Sequence, residues 1–193
     1  ARHLAAARWF ETLGEPELVG ALAGHFLAAR SLAQKGTEAD ALAAQARLAL
    51  KAAGDRAASL GSNRQAIDFY QQALTVTVDP KDEAEILELA GEIAERVAEF
   101  DNAADLFSRA VELHRTGGDR LAEARLFGRF IRMLLGSRRY DQASKLLEGA
   151  GVYADLGDVR EVLEIKSQRA RLWMLTGNFE PVIGLTDEVL AAA

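Results

Sequence analysis

Side chains that usually carry chemistry are sparse in this sequence. Three histidines, His3, His25 and His114, stand far apart, and none has a second ligand at the i+3 or i+4 spacing of a helical metal site. Cysteine is absent, which removes thiolate nucleophiles, thiolate metal sites and disulfides, and fits a reducing cytosol. No serine sits in a nucleophile elbow, and no phosphate-binding loop of the Gly-x-x-x-x-Gly-Lys-Ser/Thr type occurs. The stretch Arg115-Thr116-Gly117-Gly118-Asp119-Arg120 sets two glycines between arginines. Its backbone amides suit a phosphate, but a turn between two helices needs the same residues, and the turn is the expectation. No nucleophile, base and metal set emerges, so no catalysis and no cofactor are expected. The one patterned group of reactive side chains is acidic. Glu85, Glu88, Glu92 and Glu95 recur at spacings of three, four and three, which places four carboxylates on one stripe of a helix.

The elements that position this stripe are all helical. Ala, Leu, Glu and Arg dominate, apolar residues recur at three and four, and clusters of β-branched and aromatic residues are missing. Breaks are marked at Gly14-Glu15-Pro16, Gly36-Thr37, Gly61-Ser62, Asp79-Pro80, Gly117-Gly118-Asp119, Gly136-Ser137, Gly157-Asp158 and Gly177-Asn178. Each supplies a glycine C-cap, a polar N-cap or a first-turn proline, and about ten helices result. The 193 residues are 49% hydrophobic, enough for a sizeable core. A net charge of −6 gives no general attraction to phosphate backbones or anionic lipid, so direct nucleic-acid binding is not expected. No apolar run is long enough to span a bilayer, and the opening "ARHLAAARWFETLG" lacks the order of a signal peptide. A cytoplasmic protein is expected, and its uncapped ends read as those of a piece of a larger one.

One unit repeats along the chain. Ala66-Tyr70-Ala73, Ala103-Phe107-Ala110, Ala143-Leu147-Ala150 and Val182-Thr186-Val189 share spacings of four and three, and their first members lie 37, 40 and 39 residues apart. Twelve residues before Ala66 and Ala103 stand Gly54 and Gly91. Small residues on both helices of a hairpin allow close approach, and Tyr70 or Phe107 fills the space beside them.

In these positions the chain resembles the tetratricopeptide repeat (TPR) family, whose motif places small residues and an aromatic in this register. The units at Gly54 and Gly91 fit well, the unit at Ala143 in part, and the unit at Val182 least. The resemblance implies an all-α superhelix of helical hairpins over residues 47–80, 81–118, 119–157 and 158–193, preceded by lead-in helices over 1–46. A second resemblance lies at the front. "EPELVGALAGHFLAA" followed by "LALKAAGDRAASLGSNRQAIDFYQQAL" is similar to the segment after the ATPase module in large bacterial signalling proteins, where a cyclase-like or DNA-binding domain precedes an AAA/STAND-type ATPase and a TPR array. Pro16, Glu17, Leu18, His25, Gly54, Ala57, Ala66 and the Ala73-Leu74 pair carry it.

In the TPR register the glutamate stripe falls on the first helix of its unit, the helix that lines the groove. The equivalent positions hold Lys51 and Asp55 in the first unit, Arg125, Gly128 and Arg132 in the third, with Arg129 adjacent, and Glu164, Ser167 and Arg171 in the fourth, with Gln168 adjacent. Two readings stay open. Glu88 and Glu92 pair with Arg125, Arg129 or Arg132 across the repeats and stabilise the stack; or the groove takes an extended peptide, with Arg125, Arg132 and Arg171 meeting carboxylates and the Glu stripe meeting a basic segment. The functional expectation is a non-catalytic protein-interaction or regulatory scaffold. Its partner is a protein, a peptide or another domain of the same polypeptide. The alternative is a small-molecule or peptide sensor controlling an attached ATPase, cyclase or transcription factor. Leu48, Leu135 and Met174 are expected in the groove, and Trp9 and Trp173 in the core. Val182, Ile183, Val189 and Leu190 are expected to be left uncovered on the last helix, a route to self-association.

Overall fold

The structure is a computed structural model that describes residues 2–185. Among these are nine α-helices and two 3-10 segments, with no strand: α1 (Arg2–Leu13), a 3-10 turn (Pro16–Leu18), α2 (Val19–Leu32), α3 (Thr37–Ser59), α4 (Asn63–Leu74), α5 (Pro80–Arg96), α6 (Phe100–Gly117), α7 (Arg120–Gly136), α8 (Tyr140–Glu148), a 3-10 stretch (Gly149–Leu156) and α9 (Arg160–Leu175). Residues 180–185 are helical again. The chain forms two compact units, Ala1–Ile93 and Ala94–Ala193. In the first, α2 packs on α1 and on α3, and α3 on α4; in the second, α7 packs on α6, α8 and α9. The 46/47 boundary expected for the lead-in lies inside α3.

One backbone closure recurs at five turns among the described residues. Amides of Ser62, Glu99, Asp119, Arg139 and Asn178 donate to carbonyls five residues earlier, at Ala57, Ala94, His114, Leu134 and Trp173. This six-to-one bond needs a left-handed residue just before its donor. Gly61, Gly118 and Gly177 fill that place at φ +75°, +76° and +79°, but Ala98 and Arg138 fill it at +60° and +61°. The break between α5 and α6 therefore carries no glycine, which is why composition did not mark it. Gly136, expected to end α7, is instead its last helical residue. A Cβ there would lie 3.1 Å from the Phe100 ring, so close packing explains this glycine. Asp79 and Asp119 cap as expected: Asp79 Oδ1 accepts from the amides of Lys81 and Asp82, and Asp119 Oδ1 accepts from that of Ala122.

The small-and-aromatic pattern sits in the core. Ala66, Tyr70, Ala73, Ala103, Phe107, Ala110, Ala143 and Leu147 are all buried, as are Gly54 and Gly91. At Gly54 a Cβ would lie 2.5 Å from Tyr70 Cε1, so the tyrosine ring lies directly on the glycine of the facing helix rather than beside it. Ala150 is buried but lies in the 3-10 stretch, because α8 stops at Glu148. Trp9, expected in the core, is 58% exposed, and Trp173 is half-buried. Val182 is half-buried and Ile183 exposed; Thr186, Val189 and Leu190 lie outside the described residues.

Candidate interaction site on α7 and α9

Asp119 starts α7, and from that start Arg125, Arg129 and Arg132 follow at spacings of four and three, which puts them on one face. The opposite face buries Phe127, Ile131 and Leu134 in the core, so the arginine face points outward. α9 begins at Arg160 and presents Glu161 and Glu164 one turn apart. These six residues line a cleft of about 320 Å³. Gly128 sets its depth, since a Cβ there would lie 3.1 Å from Glu164 Cγ; without one, the glutamate stem lies against the backbone of α7.

The cleft's charges are partly neutralised by fixed partners. Glu95, near the end of α5, accepts from Arg129 Nη2 at 3.0 Å and from Arg132 Nη2 at 2.7 Å. Arg132 Nη1 also reaches Glu164 Oε1 at 3.5 Å, and Gln168 Nε2 donates to that oxygen at 2.8 Å. The Arg129 guanidinium lies 4.7 Å from the centre of the Phe107 ring, a cation–π contact that fixes its plane. Arg132 Nε and Gln168 Oε1, both buried, are among the atoms of this network with no hydrogen-bond partner among the described residues. Arg160 is exposed and makes no ion pair among the described residues. The site thus combines clamped guanidiniums in its floor with an accessible one at its rim, an arrangement suited to a carboxylate.

Other residues expected in the groove do not line this cleft. Lys51 Nζ contacts Asp55 at 3.1 Å and Glu85 at 3.3 Å within the first unit. Burial acts against the Lys51 ammonium, but the Asp55 hydrogen bond and the Asp55 and Glu85 charges outweigh it and raise its pKa. Asp55 also accepts from the Tyr70 hydroxyl at 2.8 Å, tying this pair to the packing core. Glu88 and Glu92 are half-buried on α5. Arg171 is exposed on α9 about 16 Å along the helix from Arg160, at 1.5 Å per residue, and does not line the cleft. Leu48 and Met174 are exposed, while Leu135 is buried. Sequence reading missed Arg160 and Glu161. The signal was available in Arg160 standing four residues before Glu164 on the same face.

The arginine-flanked glycines form a turn, and both arginines have structural partners. Glu123, only 3% exposed, accepts from Arg115 Nε and from the Tyr153 hydroxyl, each at 2.9 Å. Arg120 bonds Asp155 at 2.8 Å and the Val152 carbonyl. Desolvation, then the hydrogen bond to Glu123, push the Tyr153 phenol up to about 12. The Glu123 hydrogen bond also raises Arg115. This network pins the 3-10 stretch to α6 and α7. No group of three metal-ligand side chains occurs among the described residues, and no helix among them is long and apolar enough to cross a membrane.

Comparison with solved structures places the fold. The chain is similar to BtubC from P. vanneervenii, with a TM-score of 0.61 at 17% identity, covering 99% of this chain and 87% of that one. It is also similar to a kinesin-light-chain-like protein of Podosopora anserina with nearly identical TPR-like repeats, again with a TM-score of 0.61, at 15% identity, covering 99% of this chain and 93% of that one. No family model matches the sequence, and no curated protein matches it. The fold is all-α and of the TPR-like α-α superhelix class.

Proposed function

We propose that this chain is a non-catalytic interaction module, regulatory within a larger signalling protein, and that the α7/α9 cleft receives an acidic segment of a partner or of another domain of the same polypeptide. The observation carrying this reading is the convergence of Arg125, Arg129, Arg132 and Arg160 on one cleft. A carboxylate entering it meets Arg160 at the rim and exchanges with Glu164 for Arg132. Regulation then follows from differential binding: a segment that engages the cleft in only one state of the attached module shifts that equilibrium. The second reading, a sensor for a small molecule or peptide controlling an attached ATPase, cyclase or transcription factor, uses the same cleft. Its charged lining favours an acidic peptide over an apolar ligand.

The test is fluorescence anisotropy with a labelled Asp/Glu-rich peptide, titrated with the wild type, Arg160→Glu and Arg171→Glu at two salt concentrations. Arg160→Glu is expected to weaken binding roughly tenfold or more at low salt, and Arg171→Glu to leave it within about twofold, since Arg171 is off the cleft. Equal affinity of wild type and Arg160→Glu sinks the proposal. Competition by small dicarboxylates at comparable concentration would favour the sensor.

A further inference from the structure

His3 and His25, distant in sequence, meet between α1 and α2. Their Nδ1 atoms are 3.0 Å apart, and the Phe10 ring stacks on His25 at 5.4 Å and 15°. His3, buried Ala7 and Phe10 are spaced four and three on α1, so this stripe is the face that α1 lays on α2. The ring centroids of the two histidines lie 5.3 Å apart, a distance that two ring radii added to the nitrogen separation already account for. The Nδ1 lone-pair directions therefore lie nearly along one line. That is the geometry of a shared proton; two ligands of one metal ion must instead aim at a point off that line.

We propose that this pair is a proton-bridged latch that holds α1 on α2 and opens when both imidazoles are protonated. In the neutral pair one ring carries its proton on Nδ1 and donates it to the bare Nδ1 of the other, whose own proton is on Nε2. A first added proton goes to Nε2 of the donor ring, and the bridge survives. A second must go to the accepting Nδ1. The hydrogen bond is then lost, and two N–H cations face each other head-on. No nearby charge offsets them: neither imidazole has an ion-pair partner among the described residues. On α1, Arg2, Arg8 and Glu11 are exposed, as is Arg30 on α2. On α3, the other helix packed on α2, Glu38 and Asp40 are exposed, while Arg47 bonds Asp82, Lys51 and Asp55 bond each other, and Arg56 bonds Glu17 of the 3-10 turn. Opening uncovers the apolar stripe of α1 beside the already exposed Trp9, so acidification exposes a new apolar surface at this end of the first unit.

The test is hydrogen–deuterium exchange of the α1 peptide in the full chain, corrected for intrinsic rate, between pH 8 and acidity sufficient to protonate ordinary histidines. Protection of α1 is expected to fall roughly tenfold, the worth of one net hydrogen bond, while α7, which carries no histidine, stays unchanged. His25→Phe, which keeps an aromatic ring against Phe10 without a charge, is expected to lose the pH dependence. If that variant leaves α1 open at every pH, His3→Gln decides the same question, because it keeps a hydrogen-bonding group that cannot charge. A wild type with no pH response confined to α1, or a response that persists in the uncharged variants, overturns the proposal.

Discussion

Glu95→Gln is expected to lower stability and raise affinity for an acidic ligand at the same time. Glu95 is the shared acceptor of Arg129 and Arg132, through contacts of 3.0 and 2.7 Å between side chains that are 23%, 20% and 33% exposed. Two unit charges about 4 Å apart attract by about 4 kcal/mol at an effective dielectric of 20, but desolvation and side-chain ordering offset most of that. What remains is the net worth of a hydrogen bond to a charged group, about 1.5–3 kcal/mol. Glutamine keeps one acceptor and turns the other position into a donor, so one guanidinium loses its hydrogen bond to residue 95. Urea denaturation should register a loss of about 1.5–3 kcal/mol, with the slope unchanged. The cleft meanwhile gains one net positive charge, and a guanidinium is released from Glu95. Anisotropy should show affinity for an Asp/Glu-rich peptide rising about three- to tenfold at low salt, with the gain shrinking at high salt. The opposite signs are the test. Affinity that falls together with stability would mean Glu95 builds the site rather than competes for it, and no change in either would remove the clamp from the account.

Gly54→Ala should cost about 1–3 kcal/mol through overpacking, because the added methyl would lie 2.5 Å from Tyr70 Cε1; a denaturation midpoint matching the wild type would refute the contact. Ala98→Gly should stabilise by about 1 kcal/mol, since Ala98 holds φ +60°, although glycine's larger unfolded-state entropy offsets part of the gain. A loss of stability would show that the turn is not strained. Tyr153 contributes to pH dependence with a definite sign. Its folded pKa, about 12, lies above the phenol's ordinary value of about 10. Its contribution is therefore fully present below about pH 10 and disappears as pH rises toward 12. Tyr153→Phe should flatten this alkaline decline, and ultraviolet titration of the phenolate should place the wild-type transition above the ordinary range.

How far the sequence could be read followed from where the information is stored. Helix positions and the packing register were legible because both depend on local spacing: Ala66, Tyr70 and Ala73 must share a face whatever the neighbours do. Turn closure was only partly legible. Gly61 and Gly118 advertise a left-handed residue, whereas Ala98 and Arg138 take that conformation although neither residue type marks it in a sequence. The charged positions were the least legible, since a side chain's role depends on which carboxylate arrives from a distant element. The three α7 arginines were found by register, with Glu88 or Glu92 expected as partners, but the part played by Glu95, which bonds both Arg129 and Arg132, was not singled out. Arg171 matched the groove register but stands off the cleft, while Arg160, the first residue of α9, lies one turn before the register positions that were compared. The buried Glu123 could not have been picked out from its neighbours either. Nothing in "RLAEARLF" distinguishes it until Tyr153 arrives from the 3-10 stretch, a segment that exists only because α8 ends early. In a repeat fold the spacing rules recur from unit to unit and specify the scaffold, whereas each site is set by one-off contacts between units' side chains. On the proposed reading, function therefore resides in the part of this sequence that does not repeat.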